Sequence, residues 1–285
     1  MGVAFGLAAA FLWGLADYNA ALASRQTGAF RVVLAFHVLA TIGLGIIVAA
    51  TGALSGFDPA DLWKFAWVGA LGVLSYLTFY KALEIGPISI VSPIISAYAA
   101  VSLILAVVVL DESLSTGQLI AIGVVMLGVL LASSDLAQVK GIERRQALGL
   151  VLAFATFIAI GGFVFGNAYY AIDYGWLVPI FLTRGFATVF LFALSLRDRS
   201  WRFPDRSPRL LGLIALLAAV DTGGYVAFNI GAERAETSIV SAASAPYAVI
   251  PIIGGVLFFH ERPAPVQWLG VTCVMAGVVV LGLAS

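Results

Sequence analysis

Apolar residues follow one another along this chain in ten long runs, near 2–23, 31–50, 62–83, 88–110, 116–134, 147–172, 176–196, 209–231, 238–258 and 264–283. Each is close to the length that carries an α-helix, at about 1.5 Å per residue, across roughly 30 Å of hydrocarbon. The pattern predicts an all-α membrane protein with ten transmembrane helices. The first run lacks a basic leader and a small-residue cleavage site, and "LWGLADYN" continues it, so it reads as a helix rather than a signal peptide. The longest polar stretches, 134–146 and 197–209, leave no room for a soluble domain.

The runs repeat. "SIVSPIISAY" at Ser89–Tyr98 returns as "SIVSAASAPY" at Ser238–Tyr247, 149 residues on. The same step matches Tyr76 with Tyr225, Glu84 with Glu233, Glu112 with Glu261 and Gln118 with Gln267. It holds from span three to span five against span eight to span ten. The opening spans align more loosely, with Phe11 and Phe154 pairing at a step of 143. The chain therefore divides into a first repeat (1–134), a connecting loop (135–146) and a second repeat (147–285). Five spans is an odd number, so the second copy enters the membrane from the opposite side. This predicts two inverted five-helix repeats around a central cavity, the layout of secondary transporters.

Charge orients the bundle. The odd-numbered connections hold Arg25, Arg31, Lys81, Lys140, Arg144, Arg145, Arg197, Arg199, Arg202, Arg206, Arg209 and Arg262, against Lys64 and Arg234 in the even-numbered ones. Basic loops stay in the cytoplasm, which places both termini outside a plasma (inner) membrane.

Composition removes other classes. The chain is 62% hydrophobic and 11% charged with zero formal net charge, which gives no reason to expect nucleic acid. The single cysteine, Cys273, excludes an internal disulfide and reads as a buried thiol. His37 and His260 lack companions at metal-ligand spacing, so no metal or cofactor is expected. Phosphate loops, nucleophile elbows and zinc-protease motifs are missing, so the chain does not read as an enzyme.

Polar side chains inside spans should face the protein interior or a water-filled cavity. Span one carries Trp13 and Asp17, span three Tyr76 and Tyr80 with Lys81 at its end, and span four Ser92, Ser96 and Tyr98. Span six carries Phe163 and Asn167, span eight Asp221, Tyr225 and Asn229, and span nine Ser241, Ser244 and Tyr247. These residues form the candidate substrate-binding set. Spans five and ten have little that is polar and read as outer buttresses. Any single serine could instead bond its own preceding turn; the stripe recurring in both halves favours a cavity. Arg184 and Asp221 lie at about 12 and 16 Å depth from the outer end of joined spans, so they read as a charge pair. Asp17 lies nearer the cytoplasmic end of span one, where hydration would suffice. Lys81 and Glu84 suit a rim salt bridge. Glu112 and Glu261 read as ties for helix ends, with "STGQ" a capping box for span five. Rows of small residues four apart (Gly2, Gly6, Ala10, Gly14; Gly162, Gly166) suit packing within a monomer.

"YKALEIGPISIVSPI", the Glu in "LDES", "GQLIAIGVVMLGVLL" and the second-half "FFHERPAPVQWLGVTCVMAGVVVLG" together resemble the EamA domain of the drug/metabolite transporter superfamily, as does "LWG" in span one. The resemblance covers nearly the whole chain and is nearest to the aromatic and neutral amino-acid exporters of the YddG type. It implies alternating access and a small-molecule cargo such as an amino acid. A multidrug or other-metabolite carrier of the same fold, proton-coupled through Asp17 or Asp221, is the alternative. The chain departs from the commoner pattern in its prolines, Pro93, Pro246 and Pro251, so the breaks in spans four and nine are expected to differ.

Overall fold

The computed structural model describes residues 1–86, 88–96, 98–132, 144–196, 207–258 and 264–284. Most of the connecting loop, together with Lys140, Arg197, Arg199, Arg202, Arg206, His260, Glu261 and Arg262, lies outside the described residues. The described residues are helical throughout, without strands. The first repeat runs α1 (Gly2–Thr27), α2 (Ala29–Thr51), α3 (Leu62–Ile85), α4 (Ile88–Ser96) with α5 (Tyr98–Val109), and α6 (Thr116–Ala132). The second runs α7 (Arg144–Tyr174), α8 (Leu177–Ser195), α9 (Pro208–Arg234), α10 (Thr237–Ser244) with α11 (Val249–Phe258), and α12 (Pro265–Ala284). Taking α4 with α5 and α10 with α11 as one span each gives ten spans among the described residues. Ala97, between α4 and α5, lies outside the described residues. Span nine passes through a 3₁₀ turn, Ala245–Ala248, that contains Pro246.

Local chemistry sets the ends. A single residue, Gly28, joins α1 to α2 at φ 90°, a left-handed angle that costs glycine little. Ser115 and Gln118 cap α6 reciprocally, with Ser115 N donating to Gln118 Oε1 at 2.7 Å and Gln118 N to Ser115 Oγ at 3.2 Å. Asp58 and Ser207 accept from the amides of Ala60 and Leu210 at the starts of the segments that become spans three and eight.

Packing follows a pseudo-twofold axis. α1 packs on α9 as α7 packs on α3, and α1 packs on both segments of span nine, α10 and α11, as α7 packs on both segments of span four, α4 and α5. Three pairs of equivalent elements meet one another at the axis. Thr41 Oγ1 on α2 bonds Thr188 Oγ1 on α8 at 2.9 Å. The Tyr98 and Tyr247 rings lie 5.9 Å apart. α6 and α12 cross where a Cβ on Gly128 would lie 2.7 Å from the Val274 side chain and one on Gly277 would lie 2.7 Å from that of Val125. These are reciprocal contacts at the 149 step. The opening spans keep a different step. Gly14 sits against Tyr247 and Ile250 as Gly161 sits against Tyr98 and Val101, and Gly2 meets Ala235 as Gly149 meets Gly86. Thr41 with Thr188 agrees. The equivalence there is 147 residues, which replaces the 143 step suggested by Phe11 and Phe154; both of those rings are exposed on the outer surface.

The bundle is apolar outside and polar inside. Ile42, Ile46, Leu74, Ile104, Val108, Ile120, Leu130, Val151 and Val189 are exposed, whereas Asn167, Thr183, Arg184, Ser241 and Ser244 are buried. Only a surface facing hydrocarbon favours that inversion. Cys273, on α12, is partly exposed rather than buried.

Because a Cβ at Gly128 also meets the Val274 backbone nitrogen at 2.6 Å, Gly128→Ala or Gly277→Ala must push α6 and α12 apart. A loss of about 1–3 kcal/mol is expected in thermal unfolding in detergent. Gly123→Ala, with nothing within 4 Å, should leave the transition in place.

Candidate functional site

The six spans that carry polar stripes converge on one cavity. Trp13 and Asp17 reach it from α1, Tyr76 and Phe79 from α3, and Tyr98 from α5. Ile160 and Val164 come from α7, Asp221 and Tyr225 from α9, and Tyr247 from the turn in span nine. All ten side chains are buried. The cavity measures about 20 Å³, room for a water molecule and far too little for a metabolite. The two halves are thus drawn together around a small polar centre.

Rings form its walls. Trp13 lies 4.9 Å from the Tyr225 ring and 5.9 Å from that of Tyr98, both edge-on, and Phe163 lies behind Tyr225 at 5.5 Å. Such edge-to-face pairs each add about 0.5–1.5 kcal/mol beyond their buried area. Two glycines make the fit possible. A Cβ at Gly224 would fall 2.4 Å from Trp13 Nε1, and one at Gly72 would fall 2.7 Å from the Phe163 ring.

The two cavity carboxylates have different surroundings. Asp221 pairs with Arg184 through Nη2 and accepts from the Tyr76 hydroxyl at 3.1 Å (Oδ1) and 3.2 Å (Oδ2). The guanidinium also donates to Tyr76 Oη at 3.3 Å and lies over the rings of Phe36, Tyr76 and Tyr225 at 5.2–5.6 Å. Cation–π contact and ion pairing together hold a charge that is buried from bulk solvent. Asp17 is buried in the same cavity, not hydrated at a helix end. It accepts from Ser92 Oγ at 3.0 Å, and among the described residues no cationic side chain pairs with it.

The other candidates are placed away from the opening. Tyr80 is buried behind the wall, stacked on Phe36 at 5.5 Å. Ser96 is buried too. Lys81 is at the rim: its side chain is 45% exposed and bridges Glu84 at 2.6 Å, beside a crevice lined by Gly28, Phe30 and Arg31. It therefore does not reach the central cavity, because the last turn of α3 has already left the midplane. Asn167 joins α7 to α8, donating to Phe163 O at 3.0 Å and accepting from Thr183 at 3.1 Å. Asn229 donates to Trp176 O at 3.3 Å. Ser241 bonds Ser102 at 2.9 Å and Ser244 bonds the Tyr98 hydroxyl at 2.6 Å, so these hydroxyls join span four to span nine. Phe79, Ile160 and Val164 were not legible in the sequence, since an apolar residue in an apolar span carries no mark of the face it turns. Phe36 and Ser102 were missed as partners for the same lack of signal. No cluster of potential metal ligands occurs among the described residues.

An inverted pair of helical repeats closed on a buried aromatic and carboxylate centre defines a multi-pass membrane carrier. The sequence pattern of the EamA-like transporter family matches residues 1–134 and again 145–283, and the chain belongs to that family. Its members are membrane transporters of small metabolites rather than enzymes. A solved crystal structure of a protein 17% identical superposes with a TM-score of 0.70, covering 99% of this chain and 96% of the other; that likeness concerns the fold alone. No curated protein matches the sequence.

The Arg184–Asp221 pair yields a stability test. Arg184→Gln alone leaves a buried carboxylate without its cation and should cost about 3–5 kcal/mol in detergent unfolding. The double variant Arg184→Met/Asp221→Leu should recover most of that loss, because neither charge is then stranded.

Proposed function

We propose that the protein exports small metabolites, neutral and aromatic amino acids foremost, across the inner membrane by alternating access. The observation that carries this reading is the inequality of the two carboxylates. Asp221 is neutralised by Arg184, whereas Asp17 faces the cavity with one hydroxyl donor. A buried carboxyl without a cation ionises readily only beside a positive group, and the ammonium of an amino acid supplies one. The rings of Trp13, Tyr98, Tyr225 and Tyr247 would then receive an apolar or aromatic side chain. The cavity must widen to admit it, which the 3₁₀ turn in span nine allows without unwinding a whole helix. The protein would act as a monomer in the bilayer, without cofactor, with its basic odd-numbered connections in the cytoplasm and both termini outside.

The same carboxylate favours a second reading, in which a proton on Asp17, or on Asp221 when Arg184 lets go, exchanges for a cationic drug or another metabolite. Proteoliposomes separate the two. Saturable uptake of radiolabelled neutral and aromatic amino acids, suppressed by excess unlabelled ligand, is expected. Asp17→Asn should reduce it at least tenfold, about the 1.4 kcal/mol that a charge-assisted hydrogen bond contributes. Flux of organic cations alone, driven by a pH gradient, would support the second reading. Unchanged amino-acid flux in folded Asp17→Asn protein would remove Asp17 from the site.

A further inference from the structure

The two ends of the span four–span nine pair should be chemically alike if the repeats were symmetric, and they are not. At the end nearer the even-numbered connections, α5 packs on α10. There the Tyr98 hydroxyl bonds Ser244 Oγ at 2.6 Å, and Ser102 Oγ bonds Ser241 Oγ at 2.9 Å. All four residues are buried. Beyond them, the Glu112 carboxylate of the first repeat accepts the amides of Thr237 at 2.8 Å and Ser238 at 2.9 Å, at the start of α10. Those are orphan donors of a helix N-terminus, so the tie joins an anion to the positive end of the helix dipole. The 149-step equivalent of Glu112, Glu261, lies outside the described residues, so the difference between the ends rests on the hydroxyl pairs alone.

At the opposite end α4 packs on α11. The 149 step assigns the equivalents. Ser102 becomes Pro251, Ser241 becomes Ser92, and Ser244 becomes Ile95. A proline and an isoleucine have no hydroxyl, so neither bonded pair can be repeated there. Tyr247, the equivalent of Tyr98, donates instead to the backbone oxygen of Ser92 at 3.3 Å.

We infer that the hydroxyl pairs Ser102–Ser241 and Tyr98–Ser244 are a latch that holds the even-connection gate shut in the empty protein, so that its resting state opens on the side of the odd-numbered connections. Parting α5 from α10 exchanges both hydroxyl pairs for bonds to the water that enters the opened gate, at a net cost for each pair, while Ser244 keeps its bond to Ser241 O at 2.7 Å. Parting α4 from α11 breaks no equivalent of either pair, because Pro251 and Ile95 carry no hydroxyl. The difference biases a two-state equilibrium without any ligand. With the basic connections in the cytoplasm, the empty carrier waits open to the cell interior, the starting state an exporter requires.

The test uses the full chain, empty, in lipid nanodiscs, and needs no cargo; it therefore stands apart from the identity of the substrate. In a Cys273→Ser background, Ser113→Cys and Glu236→Cys carry spin labels across the even-connection gate, where both native residues are exposed. Distance distributions should show one short population. Ser102→Ala with Ser244→Ala should raise a longer population by roughly fivefold per hydroxyl pair removed. Ser102→Thr, which keeps the hydroxyl, should not. Thermal unfolding of each variant reports whether it is folded. A longer population already dominant in the parent, or a distribution unmoved in the folded double alanine variant, would overturn the latch.

Discussion

Hydrocarbon accepts no hydrogen bonds, and that single constraint organises the bundle. A polar side chain placed within a span is stabilised only by partners inside the protein. Thr183 therefore bonds both Asn167 and its own helix, Thr156 meets Thr78 at 2.6 Å, and Arg184 lies between a carboxylate and three rings. Most of these links join different helices, and several join the two repeats. The polar groups thus fix which helices are neighbours, while the apolar exterior has no such preference.

Close approach does the rest. Lipid tails are as apolar as leucine, so helices gain by van der Waals contact rather than by escape from water. Gly128 and Gly277 receive each other's partner valines across the axis, and Gly14 and Gly161 let α1 and α7 press on spans nine and four. Close outer contacts between α6 and α12 leave span nine, with its 3₁₀ turn, as the element able to change segment angle. A carrier needs both properties: halves firm enough to move as bodies and a seam weak enough to part. The seam here lies where α5 meets α10 and α4 meets α11, and its two ends differ in chemistry although the backbone is nearly symmetric.

Much of this was legible before any coordinates. Ten spans, the inverted repeat, the Arg184–Asp221 pair, the Ser115–Gln118 cap and the tying role of Glu112 all followed from residue type and spacing. Depth within a span was less legible. Asp17 belonged to the candidate set, with hydration at a helix end as the alternative; α1 runs on to Thr27, four residues past the expected end of the span, and Asp17 lies in the cavity, where Ser92 meets it. Lys81 suits both a rim bridge to Glu84 and an inward reach, and the rim bridge is the one that forms. Asn167 and Asn229 are inward as expected, but Asn167 accepts from Thr183 and Asn229 donates to Trp176 O, so both tie neighbouring segments outside the cavity. A polar stripe identifies the inward face of a helix without saying which neighbour occupies it.

The sequence by itself determined the membrane class, the number of spans, the duplication and the faces turned from lipid, because each depends on hydrophobicity, length and periodicity, which are local properties. The tertiary structure alone decided which carboxylate is neutralised, which hydroxyls are committed to holding the two halves together, and that the opening spans correspond at 147 rather than 143 residues. Those are matters of distance between residues far apart in the chain. Tyr76 and Asp221 are separated by 145 positions and meet at 3.1 Å. No local pattern encodes that meeting; the packing of α3, α8 and α9 around the axis does.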